Sequence, residues 1–277
     1  MAITNFIPTI WSENLYRELD KQYIAVANCN REFEGDIKNM GAVVKICGVG
    51  SVNISDYTKN TDMSTPQALS YTVRELTIDQ AKYFNFQIDD IDRAQSTPKL
   101  MEAAMSVAAS ALANEADKYI YGLYEDANTS VRYDSVTADN VIDYIIEARQ
   151  KLYENNVCDA SNVVIEVSPA IASLILKAKA ELATDNTAAL DAGYLGSIAG
   201  CKVYVSNNIV VEEDTDGFYH KCFVRTKRAI AFAEQLSEID AYRPEKRFAD
   251  AVKGLHLYGA EIVYPGELVL LDMGIAY

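Results

Sequence analysis

The run from Thr97 to about Tyr124 sets the tightest limit on what this chain can fold into. Thr97 suits a helix N-cap, and Pro98 falls at the first helical position, where a missing N–H does no harm. From there the sequence is alanine-rich and unbroken. Met101, Met105, Ala108, Leu112, Ala116, Tyr119 and Leu123 recur at spacings of four and three, one continuous apolar stripe. About 26 helical residues at 1.5 Å each give a rod of roughly 40 Å. A rod of that length is a spine, and the rest of a 277-residue chain must be laid against it.

Upstream, residues 1–42 carry few strand or helix signals. Ile7-Pro8-Thr9-Ile10-Trp11 sets a proline in an apolar patch, and a short helical stretch follows at Glu13 to Lys21. The chain's one Trp lies here, so this segment must bury its aromatic and aliphatic groups in its own core or on a neighbour. Residues 43–91 read as strands. Val43 to Cys47 is apolar and β-branched, Ser51 to Ser55 alternates, and strand character returns at Tyr71 to Leu76 and Tyr83 to Ile91. Between them Asp56 to Ser70 is polar and turn-rich, so the pair predicts an extended hairpin with one apolar face.

Downstream, residues 128–235 read as an α/β insertion. Thr137 is the expected N-cap of a helix to about Asn155, with Val141, Ile145, Ala148 and Leu152 on one face. Asn162 to Val167 is a buried-type strand leading into Ser168-Pro169 and a helix to about Leu182. Asp185 to Gly200 reads as a loop, Cys201 to Val205 as a strand, Glu212 to Gly217 as an acidic turn, and Gly217 to Val224 as a further strand. Residues 236–277 close the chain with strands, punctuated by Pro244 and Pro265-Gly266. The fold class is α+β.

Composition narrows function mostly by exclusion. The chain is 49% hydrophobic and 23% charged, an ordinary globular balance. Its net charge of −15 argues against a surface that reads phosphates. A container can still enclose nucleic acid, and gains by not sticking to it. Eighteen Tyr against eight Phe favour interface-type side chains, apolar with a hydrogen-bonding tip. Five scattered cysteines without a CxxC pair point to reduced thiols and a cytosolic setting. The start lacks the pattern of a signal peptide, and no stretch reaches the roughly 18 apolar residues of a membrane span.

Catalytic patterns do not emerge. His220 and His256 stand in apolar strand surroundings with no nucleophile and orienting carboxylate marked beside them. Gly48-Val49-Gly50 lacks the third glycine and following helix of a dinucleotide site. Asp89-Asp90-Ile91-Asp92 has the wrong spacing for a calcium loop and precedes a helix start, where negative charge is favoured. No catalytic, cofactor-binding or metal-binding residue is therefore assigned.

The ordered set of segments resembles the major capsid proteins of tailed bacteriophages, the Hong Kong 97-type fold, and in particular those of phages of low-GC Gram-positive bacteria. The resemblance is carried by Phe6 to Glu13, Asp56 to Asn60, Leu76 to Phe86, Ile88 to Asp92, Gly200 to Asn208 and Val252 to Ala260. It covers nearly the whole chain. It implies an N-terminal arm (1–42), an extended loop with flanking strands (43–91), and a peripheral domain made of the spine helix (92–127) and the C-terminal strands (236–277). Residues 128–235 become an axial domain. It further implies inter-subunit contacts at Phe6, Ile7, Pro8, Ile10, Trp11, Tyr57, Lys59, Asn60, Tyr71, Met101 and Met105. The implied assembly is a shell of hexamers and pentamers around double-stranded DNA, bound without sequence specificity. A separate scaffolding protein, a portal and head-completion proteins are its expected partners, with no membrane and no cofactor. The expected location is the virion capsid, assembled in the host bacterial cytoplasm. Some members cross-link a hairpin Lys to a neighbour's Asn. Lys59 sits near the tip, but the match supplies neither the Asn nor an activating Glu. The rivals are an encapsulin-like nanocompartment shell, which would need an inner-face pocket for cargo, and an α/β enzyme using residues 128–235.

Overall fold

The computed structural model describes residues 18, 19, 22–34, 40–49, 54–57, 59, 60, 62, 65, 66, 68, 71–89, 100–157, 159–178, 194–215, 217–246 and 248–275. The spine is there: helix α1 runs Leu100–Gly122. Its expected cap, Thr97-Pro98, lies outside the described residues. The buried face is Met105, Ala109, Leu112, Ala113, Ala116, Ile120 and Tyr121. Ala108 and Tyr119, expected on that stripe, are only half-buried, because the helix is rotated toward its alanines. Small side chains at 109, 113 and 116 let neighbouring backbone approach closely. One buried position, Asp117, is charged, and hydrophobic periodicity gave no warning of it.

The described strands form three sheets. Strand β1 (Val43–Val49) pairs antiparallel with β2 (Tyr71–Thr77), the hairpin expected from the sequence. Strand β3 (Gln80–Asp89) runs antiparallel to β11 (Ala249–Ile262), which in turn pairs with β10 (Ile230–Tyr242). The third sheet has seven strands. Its order is β4 (Ser130–Tyr133), β12 (Leu268–Ile275), β9 (Gly217–Thr226), β5 (Val163–Val167), β7 (Cys201–Val205) and β6 (Tyr194–Ile198), with β8 (Val211–Asp214) also on β9.

That sheet is filled on both faces, which parity makes plain. On β12, Leu268 and Leu270 enter the core around α1, while Val269, Leu271 and Met273 enter a second core. On β9, Phe223 joins the first core and Cys222 and Val224 the second. Helices α2 (Val141–Glu154) and α3 (Pro169–Lys177) cover the second face. Val141, Ile145, Ala148 and Leu152 are buried as their spacing predicts. Each fully buried aliphatic side chain contributes about 1.5–3 kcal/mol. Ser168 caps α3 by accepting from the Ile171 N–H at 3.4 Å, with Pro169 in the first turn.

Five expectations change. The helix expected from Thr137 begins at Val141, since Thr137 to Asn140 form a turn closed by Asn140 Oδ1 on the Thr137 N–H. The stretch read as a loop up to Gly200 contains β6, which pairs with β7 around Ala199-Gly200, both at positive φ. Half of the acidic turn at 212–217 is β8, an exposed strand whose carboxylates Glu212 and Asp214 pair with Lys221 and Arg132. The arm expected over 1–42 is divided: Leu19, Tyr23, Ala25 and Val26 are core residues of the chain itself. Finally, the 236–277 group is split. Strand β10 crosses its boundary, and β12 lies inside the larger sheet, where its all-apolar run Leu268 to Leu271 is buried on two sides.

The hairpin is fastened to the body at its base. Ile46, Leu76 and Ile78 pack on Ala231, Ala233 and Leu257 of β10 and β11. Gly259 makes this possible: a Cβ there would lie 2.1 Å from the Thr77 carbonyl oxygen, backbone that cannot swing away. Substituting Gly259→Ala should therefore lower unfolding stability by about 1–3 kcal/mol in urea titrations, the usual cost of overpacking.

Candidate assembly site and its internal anchor

The surfaces open to a partner are set by what the core leaves out. Among the described residues strand β3 is the edge of its sheet, with strict alternation of exposure. Ala81, Tyr83, Asn85, Gln87 and Asp89 face out, while Phe84 and Phe86 pack on the spine core. Tyr83 is 79% exposed and stands directly across from Leu255, itself 37% exposed. An edge of ten residues with so few charges is an open template for another chain. The hairpin adds Ile54 at 97% and Tyr57 at 77% exposure, and the β10–β11 turn adds Phe248 at 82%.

Of the sequence-predicted contact residues, Phe6, Ile7, Pro8, Ile10 and Trp11 lie outside the described residues. Tyr57, Lys59 and Asn60 are exposed together on the span joining β1 to β2, with Asn60 at φ 65°. Tyr71 opens β2 and Met101 sits in the first turn of α1. Met105 is different: it is 5% exposed and packs in the chain's own core, so its thioether is already in use. Sequence reasoning missed Ile54, Tyr83 and Phe248. For Tyr83 the strict alternation of β3 was the available signal; for Phe248 it was the cluster of cations before it.

Beneath these surfaces lies a polar anchor. Arg225 of β9 is fully buried. Its Nε and Nη2 donate to both carboxylate oxygens of Glu166 on the adjacent β5, each at 3.0 Å. Nη1 donates to the Asn28 carbonyl at 2.6 Å and Nη2 also to the Ala25 carbonyl at 3.1 Å. From the other side Asp117 of α1 accepts the N–H groups of Ile24, Ala25 and Val26 at 3.0, 3.0 and 3.1 Å. The short 3-10 turn Val26–Asn28 is thus held by its N–H groups from the spine and its carbonyls from the sheet. Burial works against charge on Arg225, but Glu166 outweighs it and binds the guanidinium proton more tightly than usual. Asp117 is pushed up to about 7 by burial and by Glu166, against the pull of its three backbone donors.

A second cluster repeats the device. Glu234 of β10 accepts from the Tyr23 hydroxyl, lies 2.8 Å from His256 Nε2, and accepts from Arg31 at 2.6 Å. Burial raises its carboxyl, but His256, Tyr23 and Arg31 together outweigh that and hold it below the ordinary range. A His–Glu pair invites a catalytic reading, yet both side chains are sealed from solvent. Their geometry positions residues 23–31; it offers no place for a substrate atom. Cys29 belongs to the same region, its thiol pushed up to about 11 by burial and so poorly nucleophilic. Among the described residues no cluster of His, Cys, Asp and Glu could hold a metal ion, and no helix is long and apolar enough to cross a membrane.

No family model and no curated protein matches the sequence. Solved structures do match. A chain from Mycobacterium phage Che8 is 29% identical, with 90% of this chain and 91% of that one covered and a TM-score of 0.69. The capsid of Ralstonia phage GP4 aligns over 94% and 91% at 12% identity and a TM-score of 0.70. This is a phage capsid fold. A virus-like particle from Pyrococcus furiosus shares it more loosely, at 10% identity over 94% and 96% with a TM-score of 0.58.

Two outcomes test the anchor. Arg225→Leu leaves the buried Glu166 carboxylate without its opposite charge, with only the Asn28 side-chain amide still donating to it, and should cost about 3–5 kcal/mol in urea unfolding, whereas the double change with Glu166→Leu recovers part of it. Asp117 titrates near 7 when folded and near 3.9 when unfolded, so its contribution is full below about 4 and is lost as pH rises through 7. The stability difference between wild type and Asp117→Asn should then shift in favour of wild type as pH falls from about 8 to 5, read from thermal melts.

Proposed function

We propose that this chain is the major capsid protein of a tailed bacteriophage, a non-catalytic subunit that assembles through hexamers and pentamers into an icosahedral head around double-stranded DNA. The observation that carries this reading is the 29% identity to a phage chain over nine-tenths of both lengths, on a fold that phage capsids share. The −15 charge fits a wall that encloses DNA without gripping it. A separate scaffolding protein, a portal and head-completion proteins complete the assembly, which takes place in the host bacterial cytoplasm. The sequence strings favour a phage of a low-GC Gram-positive host, while the 29%-identical chain is from a mycobacterial phage.

In this reading residues 43–77 are the extended loop, α1 with β3, β10 and β11 is the peripheral domain, and the seven-stranded sheet with α2 and α3 is the axial domain. Contacts between subunits fall on the arm residues Phe6, Ile7, Pro8, Ile10 and Trp11, on the loop residues Tyr57, Lys59, Asn60 and Tyr71, and on Met101. Each contact is modest, and symmetry multiplies them into a closed shell. A second reading, a nanocompartment that encloses protein, is favoured by the likeness to the pyrococcal particle.

Negative-stain electron microscopy of the purified chain, with its scaffold co-expressed if it stays soluble, tests both. Closed polyhedra, or rings of five and six, are expected. A monodisperse monomer under every condition would overturn the shell. Polyhedra filled with protein and free of DNA, when purified from infected cells, would favour the compartment.

A further inference from the structure

The turn from β10 to β11 reads Arg243-Pro244-Glu245-Lys246-Arg247-Phe248. Three of the chain's 25 basic residues fall within five positions, in a protein with 40 acidic ones. Lys246 is exposed and Phe248 stands 82% exposed, more than any other described Phe. The strands leading into the turn are braced. The Tyr242 hydroxyl donates to Asn85 on β3 at 3.2 Å, and Lys253 lies 3.3 Å from Asp240 and 5.5 Å from the centre of the Tyr242 ring. A large apolar side chain is thus held out in water on a firm support, with the exposed Lys246 two positions before it in the chain.

Two copies of a chain at −15 repel each other, so a joint that sets positive charge against carboxylates at short range is favoured. An aromatic group with charged neighbours has the anatomy of an interface anchor and its rim. Nucleic acid fits less well. Glu245 sits within the turn, and Asp240 and Asp250 lie on the strands that feed it, which spoils a row of phosphate contacts. We infer that the 243–248 turn docks on a carboxylate-lined surface of a second copy of this chain, with Phe248 as the buried anchor and Lys246 as an ion-pairing rim. The inference rests on the shell reading and gives it a specific joint.

Wild type, Lys246→Arg, Lys246→Glu and the double variant Lys246→Glu/Phe248→Ser are compared after nuclease treatment by sedimentation velocity and negative-stain microscopy. All should melt at the wild-type temperature, since both side chains are exposed. The arginine variant should close shells normally, and the double variant should lose about tenfold or more in closed-shell yield, leaving smaller species. Lys246→Glu should fall between them, and raised salt should weaken wild-type joining. Normal shell yield from the double variant overturns the inference, including the case where shells close but no longer retain DNA. If the double variant melts early, Lys246→Glu alone decides by the same criterion. If wild type forms no shells, the shell reading fails first and the joint falls with it.

Discussion

A guanidinium taken wholly out of water is tolerable only when each of its nitrogens has an acceptor and its charge is answered. Arg225 meets both conditions, with Glu166 beside it and the carbonyls of residues 25 and 28 above. The consequence reaches beyond one ion pair. Glu166 and Arg225 lie on neighbouring strands of the large sheet, Asp117 lies on the spine, and the turn at 26–28 is clasped between them. Spine, sheet and N-terminal segment are fixed relative to one another by one fully desolvated cluster. Ion pairs of this kind add little net stability against an apolar replacement, but they define a single arrangement where loose hydrophobic packing would allow several.

The second cluster supports that view. Glu234, His256, Tyr23 and Arg31 attach the same N-terminal stretch to the three-stranded sheet rather than to the seven-stranded one. A segment that the sequence presents as a detachable arm is therefore split in function. Its later half, around residues 19–31, is a keystone between two sheets and a helix. The cations and carboxylates that do this are invisible to hydrophobic periodicity, because each sits at a position where an apolar residue would have satisfied the pattern.

That explains which parts were legible from sequence. The spine, the hairpin pairing and the helix at 141–154 follow from local spacing, since each buries one face against a neighbour. Ser168-Pro169 announces its helix because capping is local chemistry. The place of β12 is non-local: nothing in Leu268 to Leu271 says that its partners are residues 130–133 and 218–225. Met105 is buried as its place on the apolar stripe predicts, which is at odds with the contact role that the resemblance implied for it. Tyr57, Lys59 and Asn60 could be placed at a hairpin tip by sequence, whereas Tyr83 and Phe248 needed the sheet edge and the turn to be seen.

The position of β12 also bears on when such a chain becomes usable. It is the last strand described, yet it lies inside the large sheet, between the edge strand β4 and β9. Until the ribosome has passed residue 275, β9 has a bare edge and both cores lack one wall. Contacts so distant in sequence close late and slowly. Without β12 the inner faces of both cores stay open to water, so the fold is completed only when this last described strand is in place.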